Sequence, residues 1–123
     1  MRYLTDRKRA VGKGASGTGT DHHWYMTVSA VGLAVMFPTF LIVFGRALGR
    51  DHAGVLETFA SPFVAILSAL VLVISLQHFR KGAETLIEDY MRGMNRKFAI
   101  VFVITFTYFL MATGLYALAR MAL

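Results

Sequence analysis

The chain has 123 residues, 56% of them hydrophobic and 16% charged, with a net charge of +6 and no cysteine. This length predicts one domain, and the composition is far from that of an average soluble one. Disulfides, thiolate zinc sites and cysteine-held iron–sulfur clusters within the chain are excluded, and so is a nucleic-acid role, because the basic residues sit between apolar blocks and form no face interleaved with aromatics.

In chain order, residues 1–22 form a polar N-terminal segment, whose stretch "GKGASGTGTD" (12–21) is rich in Gly, Ser and Thr and predicts irregular structure. Three apolar runs then make up a transmembrane domain over 23–123. There are 24 residues without Asp, Glu, Lys or Arg between Asp21 and Arg46, 22 between Glu57 and Arg80, and 22 between Lys97 and Arg120. Roughly 20 apolar residues of helix cross a bilayer. The prediction is an all-α membrane protein with helices at about 24–46, 61–85 and 97–119. Continuous apolar runs exclude the alternation of a membrane β-barrel. The first run is too long for a cleavable signal peptide, follows a polar head and lacks a small-residue cleavage site. Pro38 falls in the middle of the first span and predicts a kink. In "ETFASPFVAI", Ser61 is placed to cap the second span and Pro62 to occupy its first position.

Lys and Arg set the orientation. Ten lie in the N-terminal segment or between the second and third spans: Arg2, Arg7, Lys8, Arg9, Lys13, Arg80, Lys81, Arg92, Arg96 and Lys97. The other ends carry three, Arg46, Arg50 and Arg120. The N-terminus and the 86–96 loop are therefore expected in the cytoplasm and the C-terminus on the far side.

Of the four histidines, His22, His23, His52 and His78, only His78 belongs to the inner part of a span. Ionisable groups there are rare and mark function by default. Two readings stand: a neutral histidine hydrogen-bonded across helices or reaching for the interface, and a metal ligand. Ser68, Ser75, Gly82 and Asp89 repeat every seven positions on the face that carries His78. Small residues there leave room for close helix approach or for a flat group such as a porphyrin, for which imidazole is a normal axial ligand. A second axial ligand is not at hand. His52 belongs to the opposite side of the membrane and His22 and His23 lie near the surface, so a partner chain is implied.

Asp89 and Tyr90 follow His78 by eleven and twelve residues, about three turns and roughly 16 Å along a continuing helix. That depth is the cytoplasmic interface. There a tyrosine can serve as an aromatic anchor, or as a hydrogen-bond donor to a quinone carbonyl with a neighbouring acid supplying protons. Glu84 and Glu88 stand either as assisting acids there or as solvated charges.

The order His78, ten residues, then Asp89-Tyr90, with Gly82 four after the histidine, resembles the smaller hydrophobic anchor subunit of succinate dehydrogenase (respiratory complex II). So do the three spans, the short tail and the Gly/Ser-rich segment ending in "HHW". The resemblance implies a subunit of a succinate:ubiquinone oxidoreductase in the bacterial inner membrane, with the C-terminus periplasmic. This subunit serves the respiratory chain and tricarboxylic acid cycle and has no activity alone. It implies a heterodimeric helical bundle with a cytochrome b anchor subunit, docked to iron–sulfur and flavoprotein subunits. It assigns His78 as an axial ligand of haem b iron, Tyr90 to the ubiquinone head group and Asp89 to its vicinity. His23 or His22 would lie near the haem propionates, with Arg80 and Lys81 as further propionate candidates and Ser75 and Gly82 packing against the haem. The family often has an arginine just inside the first helix. Here "HHWYMTVSAVGL" has none, and no Lys or Arg occurs between Lys13 and Arg46. The alternatives are the anchor of a quinol:fumarate reductase and a cofactor-free structural subunit. Against a transporter, internal repeats and multiple intramembrane charges are not evident.

Overall fold

The computed structural model describes residues 4–12, 14 and 19–123. The expectation of irregular structure at 13 and 15–18, and the parts of the N-terminal segment carried by residues 1–3, lie outside the described residues. Within them every regular element is a helix: α1 (Asp6–Val11), α2 (Gly19–Ala47), α3 (His52–Ala60), α4 (Pro62–Tyr90) and α5 (Gly93–Ala122). Three of these, α2, α4 and α5, are long and apolar enough to cross a membrane.

All three exceed the expected spans. α2 begins at Gly19, so residues 19–21 are helical rather than irregular. α4 runs on to Tyr90 and α5 starts at Gly93, which reduces the expected 86–96 loop to Met91 and Arg92. The physical reason is that charge marks where lipid ends, whereas helix ends need a breaker. "ETLIEDY" contains no Gly or Pro, and Glu and Leu are good helix formers. At 29 residues, α4 is about 44 Å long against a hydrocarbon core of about 30 Å. The turn is made by Met91, whose extended backbone donates its N–H to the Ile87 carbonyl at 2.9 Å. Gly93 then enters α5 at φ +63°, a left-handed conformation that favours glycine.

Two short helices were not foreseen. α1 is capped by Thr5, whose hydroxyl accepts from Lys8 N–H at 3.2 Å. α3 is capped by Asp51, whose carboxylate accepts from Gly54 N–H at 3.0 Å. Both use an acceptor side chain at the N-cap to satisfy an otherwise orphaned N–H. Pro62 opens α4 as expected, while Ser61 occupies the cap position without a side-chain hydrogen bond. Helix α2 continues through Pro38.

The second of the three long helices, α4, is also the middle of the bundle, packing on α2 and on α5. Leu67, Ser68 and Val71 of α4 are buried with Phe59 of α3 and Thr107 and Met111 of α5. Gly114 of α5 admits Leu72 so closely that an added Cβ would meet it at 2.5 Å. The three helices nonetheless cover little of themselves. Only 6%, 17% and 11% of the apolar windows of α2, α4 and α5 are buried. Aliphatic and aromatic side chains all around the bundle are left for lipid or other helices to cover.

Candidate functional site

The seam between α2 and α4 carries two polar rungs. These helices run antiparallel, so residues ascending one face descending ones on the other. His78 Nδ1 lies 2.8 Å from Ser29 Oγ. One heptad away on each helix, His22 Nε2 lies 3.2 Å from Thr85 Oγ1. Between the rungs the small residue Gly82 lets Met26 approach, with 3.7 Å from an added Cβ to the methionine methyl. Gly82 thus makes room for α2. His78 is half-buried and Ser29 is buried.

The hydroxyl of Ser29 is also bonded backwards. It donates to the Tyr25 carbonyl at 2.6 Å, with the Met26 carbonyl at 3.2 Å. Serine placed within a helix commonly bonds the carbonyl four residues earlier, because its own helix supplies an acceptor where lipid offers none. The same habit fixes Thr85, whose hydroxyl donates to the Lys81 carbonyl at 3.1 Å. Each seam histidine therefore meets a hydroxyl that also bonds a backbone carbonyl of its own helix.

His22 is exposed except for this contact, and His23, the next residue round α2, is exposed. The His23 carbonyl accepts from Thr27 Oγ1 at 2.9 Å. His52 begins α3 at the other end of the bundle, away from the seam.

Arg80 faces the other neighbour of α4. Its guanidinium pairs with Glu84 at 3.2 Å, donates from Nε to Gln77 Oε1 at 3.0 Å and lies over the Tyr108 ring at 5.5 Å. Lys81 reaches the same carboxylate at 3.8 Å. Glu84 is therefore a paired acid with a side chain only 19% exposed, and the expectation of a solvated charge is corrected. Helix geometry explains it: residues four apart meet on one face. The pair is close without being aligned as a hydrogen bond, since Glu84 Oε1 has no hydrogen-bond partner. Replacing Glu84 by Gln is expected to cost on the order of 2 kcal/mol, the typical cost of leaving a part-buried charged partner unmatched. A thermal melt of the assembled membrane complex measures it, and an unchanged melting temperature would show the pair to be dispensable.

Ser75 donates to the Leu72 carbonyl at 3.2 Å. With Ser68 it lines an apolar cleft of about 370 Å³ among Phe37, Phe40, Leu72 and Gly114. His78 is not part of that lining. Asp89 and Tyr90 form the last turn of α4 and are exposed, Tyr90 to 83%. The structure thus joins His78, His22 and Gly82 along one seam. Asp89 continues the His78 face three turns on, and Ser75, Arg80 and Lys81 are turned to other surroundings.

Ser29, Thr85, Met26, Gln77 and Tyr108 went unnoticed in the sequence. A signal for the first two exists: His22 and Ser29 are seven apart, as are His78 and Thr85, so one seam can pair both.

Chemically, an imidazole whose Nδ1 is hydrogen-bonded to protein presents Nε2 to whatever lies beside it, the usual arrangement of a ligating histidine. Among the described residues no three His, Cys, Asp or Glu side chains come together to hold a bare metal ion. His78 fits the supply of one axial position to a group that brings its other donors, as a haem does.

A model of the family described as succinate dehydrogenase/fumarate reductase transmembrane subunit matches residues 1–112. The chain is similar to the succinate dehydrogenase hydrophobic membrane anchor subunit of Paracoccus denitrificans, with 47% identity over 123 residues, covering 100% of this chain and 95% of that protein. No solved structure matches the chain.

Proposed function

The chain belongs to the family of succinate dehydrogenase/fumarate reductase transmembrane subunits, and from that premise we propose that it holds haem b through His78 and forms part of a ubiquinone-reduction site with Tyr90 and Asp89. It is a multi-pass membrane anchor, and in this reading its partners are a cytochrome b anchor subunit, an iron–sulfur subunit and a flavoprotein. The observation that carries the reading is the continuity of α4 from His78 to Tyr90. One unbroken helix connects a membrane-depth imidazole to an exposed acid–phenol pair at its end.

Each residue has a task that follows from its chemistry. His78, anchored by Nδ1 on Ser29, offers Nε2 as an axial ligand. His22 and His23 at the head of α2 are hydrogen-bonding candidates for the propionates, and His23 is the freer of the two because His22 is engaged by Thr85. Lys81, with its longer contact to Glu84, is a better propionate candidate than Arg80, which is held on three sides. Haem b, when bound, supplies one-electron chemistry. Tyr90 donates its phenolic O–H in a hydrogen bond to a quinone carbonyl, and Asp89 is the neighbouring acid placed to relay protons from water. Reducing a quinone to a quinol consumes two electrons and two protons, so the site must touch both the protein's electron path and water. An exposed helix end meets the second need.

The complex purified from its native membrane tests the assignment. It is expected to contain four kinds of subunit, to reduce ubiquinone with succinate and to carry ubiquinone through purification. Co-purification of a low-potential quinone with faster fumarate reduction would place the complex in the reverse direction. The orientation has its own check: a reporter active only in the cytoplasm, fused after Leu123, is expected to be silent, and activity would invert the topology.

A further inference from the structure

We infer that Ser29 is a positioning residue for His78, its hydroxyl selecting the imidazole tautomer that leaves Nε2 unprotonated and able to bind iron. The inference rests on the proposed ligand role of His78 and adds what enforces it.

A serine hydroxyl has one proton to donate and two lone pairs to accept with. At Ser29 the proton goes to the Tyr25 carbonyl, the shortest of its contacts at 2.6 Å, with the Met26 carbonyl sharing it at 3.2 Å. What Oγ turns toward His78 Nδ1, 2.8 Å away, is therefore a lone pair. Two lone pairs facing each other at that distance repel, so Nδ1 must carry hydrogen. Neutral imidazole has one N–H, and Nε2 is then the nitrogen with a free pair. The opposite tautomer would require Ser29 to redirect its proton and abandon the backbone carbonyl. Ser29 is only 6% exposed, so no water replaces that bond cheaply. Without the hydroxyl the ring keeps neither its tautomer nor its rotation, because the neighbouring contact on this seam is the flexible methyl of Met26 against Gly82.

An acceptor on the N–H of a ligating histidine raises the basicity of the ligating nitrogen, and losing such a partner typically costs roughly 10–100-fold in metal affinity or activity. A more basic ligand favours ferric over ferrous iron. Removing the hydroxyl is therefore expected to raise the haem potential.

The test is a redox titration of the purified complex, followed by its visible haem bands, with Ser29→Ala, Ser29→Cys, Ser29→Thr and His78→Ala side by side. Ser29→Ala is expected to keep its haem while the ferric-to-ferrous ratio at fixed potential falls about tenfold, equivalent to about +59 mV for one electron. Ser29→Cys, a weaker acceptor of similar size, is expected to shift in the same direction by less. Ser29→Thr, which keeps the hydroxyl, is expected to return the wild-type potential. If Ser29→Ala does not assemble, the Cys and Thr variants decide: a wild-type potential in Ser29→Cys overturns the inference. Loss of haem in His78→Ala with unchanged potentials in the serine variants overturns the Ser29 role and leaves the ligand assignment standing. An unchanged haem spectrum in His78→Ala overturns both.

Discussion

Replacing His78 by alanine is expected to remove the haem from the assembled complex or to convert its spectrum, while the chain itself still inserts. The substitution deletes an axial ligand and the contact to Ser29 Oγ at 2.8 Å. It does not orphan the serine, which keeps its bond to the Tyr25 carbonyl. Nor does it open the core, because His78 is half-buried and the buried centre of α4 lies at Leu67, Ser68 and Val71. A large change in haem content with a small change in assembly is therefore the signature. Haem extracted per flavin measures the first, and recovery of the complex from membranes the second. His52→Ala is the matched control: it removes an exposed histidine at the opposite end of the bundle and is expected to leave haem content unchanged. Wild-type haem content and spectrum in His78→Ala would remove the residue from the ligand set.

Tyr90→Phe is expected to lower succinate:quinone reduction by roughly 5–150-fold, the range that corresponds to losing one hydrogen bond worth about 1–3 kcal/mol from a site built to make it. Oxidation of succinate with an artificial acceptor that bypasses the membrane is expected to stay at the wild-type rate. The two assays separate because Tyr90 is 83% exposed at the end of α4, with its side chain clear of the rest of the described chain. Its ring supports no packing whose loss would unfold the subunit, and surface substitutions of this kind typically change stability by within about 0.5 kcal/mol. Asp89→Asn tests the neighbouring acid in the same pair of assays. Equal loss of both activities in Tyr90→Phe would point to assembly rather than quinone binding.

Much of this arrangement was legible in the sequence because lipid imposes severe rules. Charge-free runs located α2, α4 and α5, since a buried charge in hydrocarbon is costly and helices alone satisfy their own backbone there. The runs located the membrane and not the helix ends. Gly19–Asp21 and Leu86–Tyr90 are helical although polar residues accompany them, because leaving the bilayer does not break a helix. The extension of α4 matters for the proposed site, as it puts Asp89 and Tyr90 on the same helix as His78. The short α1 and α3 were hidden because a capped helix of one to three turns outside the spans leaves no long apolar run to detect.

Side-chain partners were less legible. Glu84 reads in isolation as a solvated acid, and only the fold reveals Arg80 and Lys81 closing on it. Gly82 reads as space for a flat group, whereas Met26 already leans into it. Ser29 reads as one more small residue in an apolar helix. Its meaning appears when antiparallel packing sets it across from His78, a pairing of residues 49 apart in sequence. Such non-local pairings depend on helix register, which residue type alone does not specify. The first span has no arginine; His22 and His23 lie in the first turn of α2, and Arg80 and Lys81 are engaged with Glu84.

In the proposed reading this subunit helps hold a b-type haem inside the membrane. The most direct measurement is a reduced-minus-oxidised visible spectrum of the wild-type complex purified with all its subunits. A low-spin b-type haem band, in about one copy per flavin when one haem is shared between the two anchors, is the predicted result. A complex that contains this chain and reduces quinone yet has only flavin and iron–sulfur absorption would contradict it.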